Sequence, residues 1–80
     1  MSDLADRLRE IRLAAGISRR ELADLSGVTP RRIDRIEHGL SLPRENEILA
    51  VLHGANAGDQ KAEVLALWAR GLPKVVEEYV

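Results

Sequence analysis

The chain has 80 residues, of which 45% are hydrophobic and 31% are charged, a composition typical of one folded domain and not of a disordered segment. It has no cysteine, which excludes disulfide bonds and thiolate metal sites, and no apolar run near the roughly 20 residues that cross a bilayer. We therefore expect a small cytoplasmic domain with an aliphatic core, and without a cofactor, membrane contact or deep catalytic cleft.

The formal net charge of -1 and the isoelectric point near 6.1 argue against nucleic-acid binding, since such domains usually have isoelectric points above about 9. The charges are unevenly distributed, however. Residues 1–44 contain nine Arg and seven acidic residues, whereas residues 45–80 contain three basic and six acidic residues. Every cation between residues 18 and 44 is Arg, which suits bidentate contacts with phosphate and guanine. The cationic half is therefore a candidate for nucleic-acid binding, and the acidic C-terminal half a candidate for binding a protein partner.

The first predicted helix carries an apolar stripe at the i, i+4, i+7, i+11 spacing of an amphipathic helix, and Gly16 ends it. The stripe consists of Leu4, Leu8, Ile11 and Ala15. A second helix begins at a capping box formed by Ser18 and Glu21 and ends at Gly27.

Three further helices are predicted after this point. The third follows Thr29 as its N-cap, with proline at its first position. The fourth follows Pro43 and ends at Gly54, and the fifth is capped by Asp59 and ends near Gly71. The residues expected to face inward on the last two helices are Ile48, Leu49, Leu52, Val64, Leu65 and Trp68.

No segment alternates clearly in the manner of a strand, so we predict an all-α, five-helix domain over residues 1–72 with a short tail over residues 73–80. The second and third helices carry the pattern of a helix-turn-helix. Ala23 is small where the two helices cross, and Gly27 tolerates positive φ in the tight turn. The residues expected to pack the third helix against the second are Val28, Ile33 and Ile36. The outer face and N-terminal end of the third helix are left with Pro30, Arg31, Arg32 and Arg35.

One segment resembles a known family, the λ-repressor/Cro-like helix-turn-helix proteins of the XRE family. It runs from Leu8 to Gly39 with the sequence LREIRLAAGISRRELADLSGVTPRRIDRIEHG and contains the patterns A-x-x-x-G-V and I-x-x-I-E. Leu42-Pro43 follows it in the expected place and completes the pattern G-x-x-x-P. The resemblance covers about residues 4–54 and implies a five-helix λ-repressor-like fold. The fifth helix, which contains EVLALWAR, is similar to that of actinobacterial regulators. Those regulators usually carry a further C-terminal domain, so this chain is either a fragment or a short relative.

The resemblance also implies a set of DNA-binding residues. Positions that contact phosphate correspond to Ser18, Arg19, Thr29 and Arg44, and positions that face base edges correspond to Pro30, Arg31, Arg32 and Arg35. Arg19 stands where the family commonly has Gln, which favours a charge contact with phosphate. Three Arg at base-facing positions favour guanine, because Arg reaches O6 and N7 together. Arg12 and Glu37 match a pair that ties the first helix to the end of the third, so we interpret them as scaffold.

Other interpretations of these residues remain open. Arg31, Arg32 and Arg35 also fit an ordinary solvated helix face, and Arg20 fits a pair with Asp24 at i+4 as well as a phosphate contact. The two histidines lack the spacing of metal ligands. Because the sequence contains no nucleophile–base set and no Gly-rich phosphate loop, we expect neither an enzyme nor a metal site.

The function implied by the resemblance is sequence-specific, major-groove binding to double-stranded DNA by a transcriptional regulator that forms a homodimer on an inverted repeat. Leu67 and the tail residues Val75, Val76 and Tyr79 are left over from the predicted core, and we predict that they form a symmetric dimer contact. One alternative is an antitoxin or phage-type repressor that also binds a protein partner. Another is a protein-interaction module on the same fold, which the net charge of -1 favours.

Overall fold

The computed structural model describes residues 3–71, which form five α-helices and one 3-10 turn and contain no strand. The elements are α1 (Asp3–Ala14), α2 (Arg19–Ser26), α3 (Pro30–Glu37), α4 (Glu45–Gly54), the 3-10 turn (Gly58–Gln60) and α5 (Lys61–Gly71). The predicted all-α, five-helix fold is confirmed over this range. No helix in it has both the length and the apolar character needed to span a membrane. The tail predicted over residues 73–80, with its dimer contact, lies outside the described residues.

Capping side chains start α2 and α3 where the sequence predicts. Ser18 Oγ accepts a hydrogen bond from the backbone N–H of Glu21 at 3.0 Å, and the Glu21 carboxylate accepts one from the Ser18 N–H at 3.1 Å. Thr29 Oγ1 accepts from the backbone N–H of Arg32 at 3.2 Å. The predicted start of α5 is wrong. Asp59 does not cap that helix but lies inside the 3-10 turn that leads into it.

The core is aliphatic and receives side chains from all five α-helices. Its largest fully buried side chains are Leu22, Ile33, Ile48, Leu52 and Val64. α1 contributes most of the predicted stripe, namely Leu4, Leu8 and Ile11. Ala15 was predicted on the same stripe, but it is exposed and lies just beyond the end of α1 at Ala14. α2 packs against α3 and α4, and α5 closes the domain against α1 and α4.

The fifth helix covers more of the core than its apolar spacing predicts. The indole Nε1 of Trp68 donates a hydrogen bond of 2.7 Å to the carbonyl of Pro43, which fastens α5 to the α3–α4 loop. Leu67 packs against the core. With Leu4 and Leu42 it lines a shallow depression between α1, the loop and α5. The prediction that Leu67 is left over from the core is therefore wrong, whereas the dimer contact itself stays a prediction.

Candidate nucleic-acid interface

The turn between α2 and α3 fixes how the two helices cross. Gly27 has a φ of 77° at the C-cap of α2, and its N–H donates to the carbonyl of Ala23 at 2.8 Å. For a residue with a Cβ this left-handed backbone conformation costs about 1–2 kcal/mol, which explains why glycine occupies the position. Ala23 itself is buried, and its small side chain permits the close approach of the helices. On α3, Ile33 and Ile36 face the core, so the opposite side of that helix faces solvent.

The outer face of α3 presents Arg31 and Arg35 to solvent. Both side chains are exposed, and neither guanidinium has a hydrogen bond or ion pair within residues 3–71. The two residues are separated by one helical turn and therefore project from the same side of α3. Pro30, also exposed, precedes them at the first helical position. Of the four predicted base-facing residues, the structure thus places Arg31 and Arg35 on one accessible surface and leaves Pro30 exposed at the start of the helix.

Arg32, the fourth, does not share this surface. Its Nε and Nη2 donate to the two carboxylate oxygens of Glu47 at 2.8 and 2.9 Å. Its Nη1 donates to Ser41 Oγ, and its Nη2 also donates to the carbonyl of Leu42 at 3.2 Å. Hydrogen bonding from Arg32 lowers the pKa of Glu47 from 4.5 to about 2, although partial burial opposes the shift. Both groups therefore stay charged at neutral pH, and the guanidinium is committed to α4 and the α3–α4 loop.

A second cluster of charges joins α1, α2 and α3. Arg12 donates to both carboxylate oxygens of Glu37, at 2.8 and 3.1 Å, and also to the carbonyl of Ile17 at 3.0 Å. The pair that the resemblance assigned to the scaffold is therefore formed and buried. Arg19 joins it through Nε alone, 3.1 Å from Glu37 Oε1. Because the Nη groups of Arg19 make no hydrogen bond within residues 3–71, they keep donors for a phosphate.

The remaining predicted phosphate contacts lie at helix starts. Ser18 and Thr29 use their hydroxyl oxygens as acceptors for helix N–H groups and keep their own O–H as a donor. Arg44 is the N-cap of α4, and its exposed side chain makes no hydrogen bond or salt bridge within residues 3–71. Because Arg has no acceptor, the cap comes from Glu47, whose Oε1 accepts from the Arg44 N–H at 2.8 Å.

Two residues of this region were missing from the predicted set. Arg20 is exposed and forms no ion pair with Asp24 or any other residue in the described part of the chain. A cation in the first turn of α2 is unfavourable because it opposes the helix dipole. That placement was the sequence feature that could have suggested a role for Arg20 other than stabilising the fold. Glu47 joins Arg32 to the start of α4. The only local indication of this role was that Glu47 lies three residues after Arg44, where a capping carboxylate is expected.

Comparison with known proteins agrees with this geometry. A family model described as a helix-turn-helix domain matches residues 3–65. No curated protein and no solved structure gives a match to the chain. The matched range includes the buried Arg12–Glu37 pair, the turn at Gly27 and every residue of the candidate interface. The chain belongs to the helix-turn-helix domain family of DNA-binding proteins, as its resemblance to the λ-repressor-like proteins implied.

Proposed function

We propose that the protein is a sequence-specific, DNA-binding transcriptional regulator that inserts α3 into the major groove. The observation that carries the proposal is the pair of exposed, unpaired guanidinium groups of Arg31 and Arg35 on the outer face of α3. Recognition helices of this motif contact base edges mainly through their N-terminal residues, which here include Arg31. Arg35 lies in the last turn of α3 and projects from the same side of the helix as Arg31. Each Arg that reaches guanine O6 and N7 together discriminates against the wrong base by about 1–3 kcal/mol. Regulation follows from occupancy of the site and needs no catalytic step.

Phosphate contacts are assigned to the groups around α3. Arg44 and Arg20 are the unpaired cations at the starts of α4 and α2, and Arg19 retains its Nη groups. The hydroxyls of Ser18 and Thr29 supply shorter contacts at the same helix starts. Contacts of this kind set the register of a protein on the duplex without reading its sequence.

The proposal is tested by selecting bound sequences from a random DNA pool and then titrating the affinity against salt. Arg31→Ala and Arg35→Ala should each relax the preference at particular base pairs. Arg19→Ala and Arg44→Ala should weaken binding to all sequences alike and lower the salt slope by about one. If all four variants changed affinity and base preference in the same way, the division between base readers and phosphate contacts would be wrong.

We further propose that two copies bind an inverted repeat. A single small helix-turn-helix unit buries limited DNA surface, and proteins of this kind pair on half-sites about 34 Å apart. The test is sedimentation of the full chain, both free and bound to DNA that carries one or two of the selected half-sites. A chain that stays monomeric on both DNA molecules would contradict the dimer.

A second candidate function is a protein-interaction module on the same fold. The observation in its favour is the net charge of -1, with six acidic and three basic residues in residues 45–80. The salt titration separates the two functions, because several phosphate contacts require a steep fall in affinity with salt. Absence of binding to every member of the DNA pool would favour the interaction module.

A further inference from the structure

The guanidinium of Arg32 joins three parts of the domain. It projects from the first turn of α3 and binds the Glu47 carboxylate on α4 at 2.8 and 2.9 Å. It also binds Ser41 and the carbonyl of Leu42, both in the loop that links the two helices. The side chains of Arg32 and Glu47 are only 28% and 19% exposed, so the pair lies largely within the protein surface.

These bonds leave Arg32 little capacity for DNA. A guanidinium has five N–H donors, and a bidentate contact with guanine uses two of them. Four donors are already engaged by Glu47, Ser41 and Leu42, which leaves a single Nη1 hydrogen. Reading a base through Arg32 therefore requires breaking its bonds to Glu47 or to the loop.

The same cluster controls the backbone from which Arg44 projects. Glu47 Oε1 accepts from Arg32 Nη2 and also from the backbone N–H of Arg44, at 2.9 and 2.8 Å. Residues 41–44 are thus held at Ser41, Leu42 and Arg44 by one ion pair, immediately before the unpaired Arg44 side chain.

We infer that Arg32 is a positioning residue for DNA binding: together with Glu47 it fixes the α3–α4 loop so that Arg44 meets a phosphate while α3 lies in the groove. This inference rests on the proposed function. It changes the role that the family resemblance assigns to Arg32, from a base reader to a support for a backbone contact. Order in the loop before binding matters because ordering a chain segment during binding costs affinity.

The test is Glu47→Gln, with Glu45→Gln as the matched control. Both substitutions remove one negative charge from the first turn of α4, but Glu45 is exposed and has no partner within residues 3–71. A positioning role predicts that Glu47→Gln binds the selected DNA about tenfold more weakly than Glu45→Gln, the equivalent of one charge-assisted hydrogen bond. A direct contact by Arg32 predicts the opposite sign, because the substitution releases that guanidinium. Equal or tighter binding by Glu47→Gln would overturn the inference.

A second measurement tests whether Arg44 is the residue being positioned. Arg44→Ala should lower the salt slope by about one in the wild-type chain and should lower it no further in Glu47→Gln. A full decrease in both backgrounds would overturn the inference. Thermal unfolding shows whether Glu47→Gln is folded at the assay temperature. If it is not, Ser41→Ala replaces it, because that change removes only the bond from Arg32 Nη1 to the loop.

Failure of this inference differs from failure of the proposed function. If the wild-type chain shows no salt-dependent binding to any DNA in the pool, the proposed function fails. If the wild-type chain binds and Arg44→Ala lowers its salt slope, but Glu47→Gln behaves like Glu45→Gln, only the positioning role of Arg32 fails.

Discussion

The ion pair between Arg12 and Glu37 is the most deeply buried one in the described part of the chain, with side-chain exposures of 8% and 2%. Two hydrogen bonds of 2.8 and 3.1 Å join the guanidinium to the two carboxylate oxygens. Arg19 reaches the same carboxylate from a more exposed position, with 34% of its side chain accessible. Glu37→Gln keeps the shape of the side chain but removes the charge that faces both cations.

Loss of that charge should destabilise the domain substantially. Removing one partner of a buried ion pair costs about 3–5 kcal/mol, because the other charge is left uncompensated. Arg19 can return to water and adds little, and the Gln oxygen still accepts one bond from Arg12, so we expect the lower end of the range. For a domain of this size each kcal/mol corresponds to roughly 4–8 °C in Tm. Glu37→Gln should therefore lower Tm by roughly 12 °C or more.

The assay is thermal and urea unfolding followed by circular dichroism at neutral pH. Glu10→Gln is the control, because Glu10 also pairs with an Arg, at 3.2 Å, but is 66% exposed. Such a surface pair contributes less than about 1 kcal/mol. The double substitution Arg12→Met with Glu37→Leu should recover much of the loss, since an apolar pair replaces both charges. The reasoning is refuted if Glu37→Gln costs no more than Glu10→Gln.

Three further predictions concern other parts of the domain. Glu47, whose pKa of about 2 lies below the ordinary 4.5, stabilises the fold above pH 5 and loses this contribution as the pH falls towards 2. Urea unfolding of Glu47→Gln should thus show a smaller loss of stability between pH 7 and pH 3, by up to about 2 kcal/mol. Gly27→Ala places a Cβ at a φ of 77° and should lower the free energy of unfolding by about 1–2 kcal/mol. Gly58→Ala meets no atom within 4 Å, has no positive φ and should be close to neutral in the same unfolding assay. Ile48→Ala, at a fully buried position, should cost about 2–5 kcal/mol in urea unfolding, whereas Leu25→Ala, at a 58% exposed one, should cost little.

The features of the fold that the sequence predicts correctly depend on residues close together in the chain. The capping box of Ser18 and Glu21 spans three residues, and Gly27 ends α2 through its own backbone conformation. The errors at Asp59 and Ala15 concern local helix ends, whereas the error at Leu67 involves a distant contact. Leu67 is partly buried and packs against a core whose other residues lie mostly far from it in the chain, so periodicity within α5 did not reveal this contact.

The same distinction applies to the candidate interface. The family pattern places three residues of the same type on the base-facing side of α3, namely Arg31, Arg32 and Arg35. Arg32 differs from the other two because it pairs with Glu47, which lies 15 residues further along the chain. No pattern in the sequence around Arg32 predicts that pairing. Arg19 likewise meets Glu37 across 18 residues. The sequence therefore predicts which segment forms the helix-turn-helix, whereas the free donors of each Arg depend on tertiary contacts.

Ion pairing of Arg residues also explains how a chain with a net charge of -1 presents a cationic face around α3. Within residues 3–71, the Arg residues with ion pairs are Arg7, Arg12, Arg19 and Arg32. Charges that are paired at contact distance largely cancel beyond a screening length of about 8–10 Å, so the field around α3 comes mainly from the unpaired cations. Those within residues 19–44 are Arg20, Arg31, Arg35 and Arg44. At about 0.9 counterions released per phosphate contact, the proposed phosphate contacts of Arg19, Arg20 and Arg44 set a salt slope of roughly 3 for each copy of the chain. A clearly steeper slope per copy would mean that cations assigned to base edges, such as Arg31 or Arg35, also neutralise phosphates.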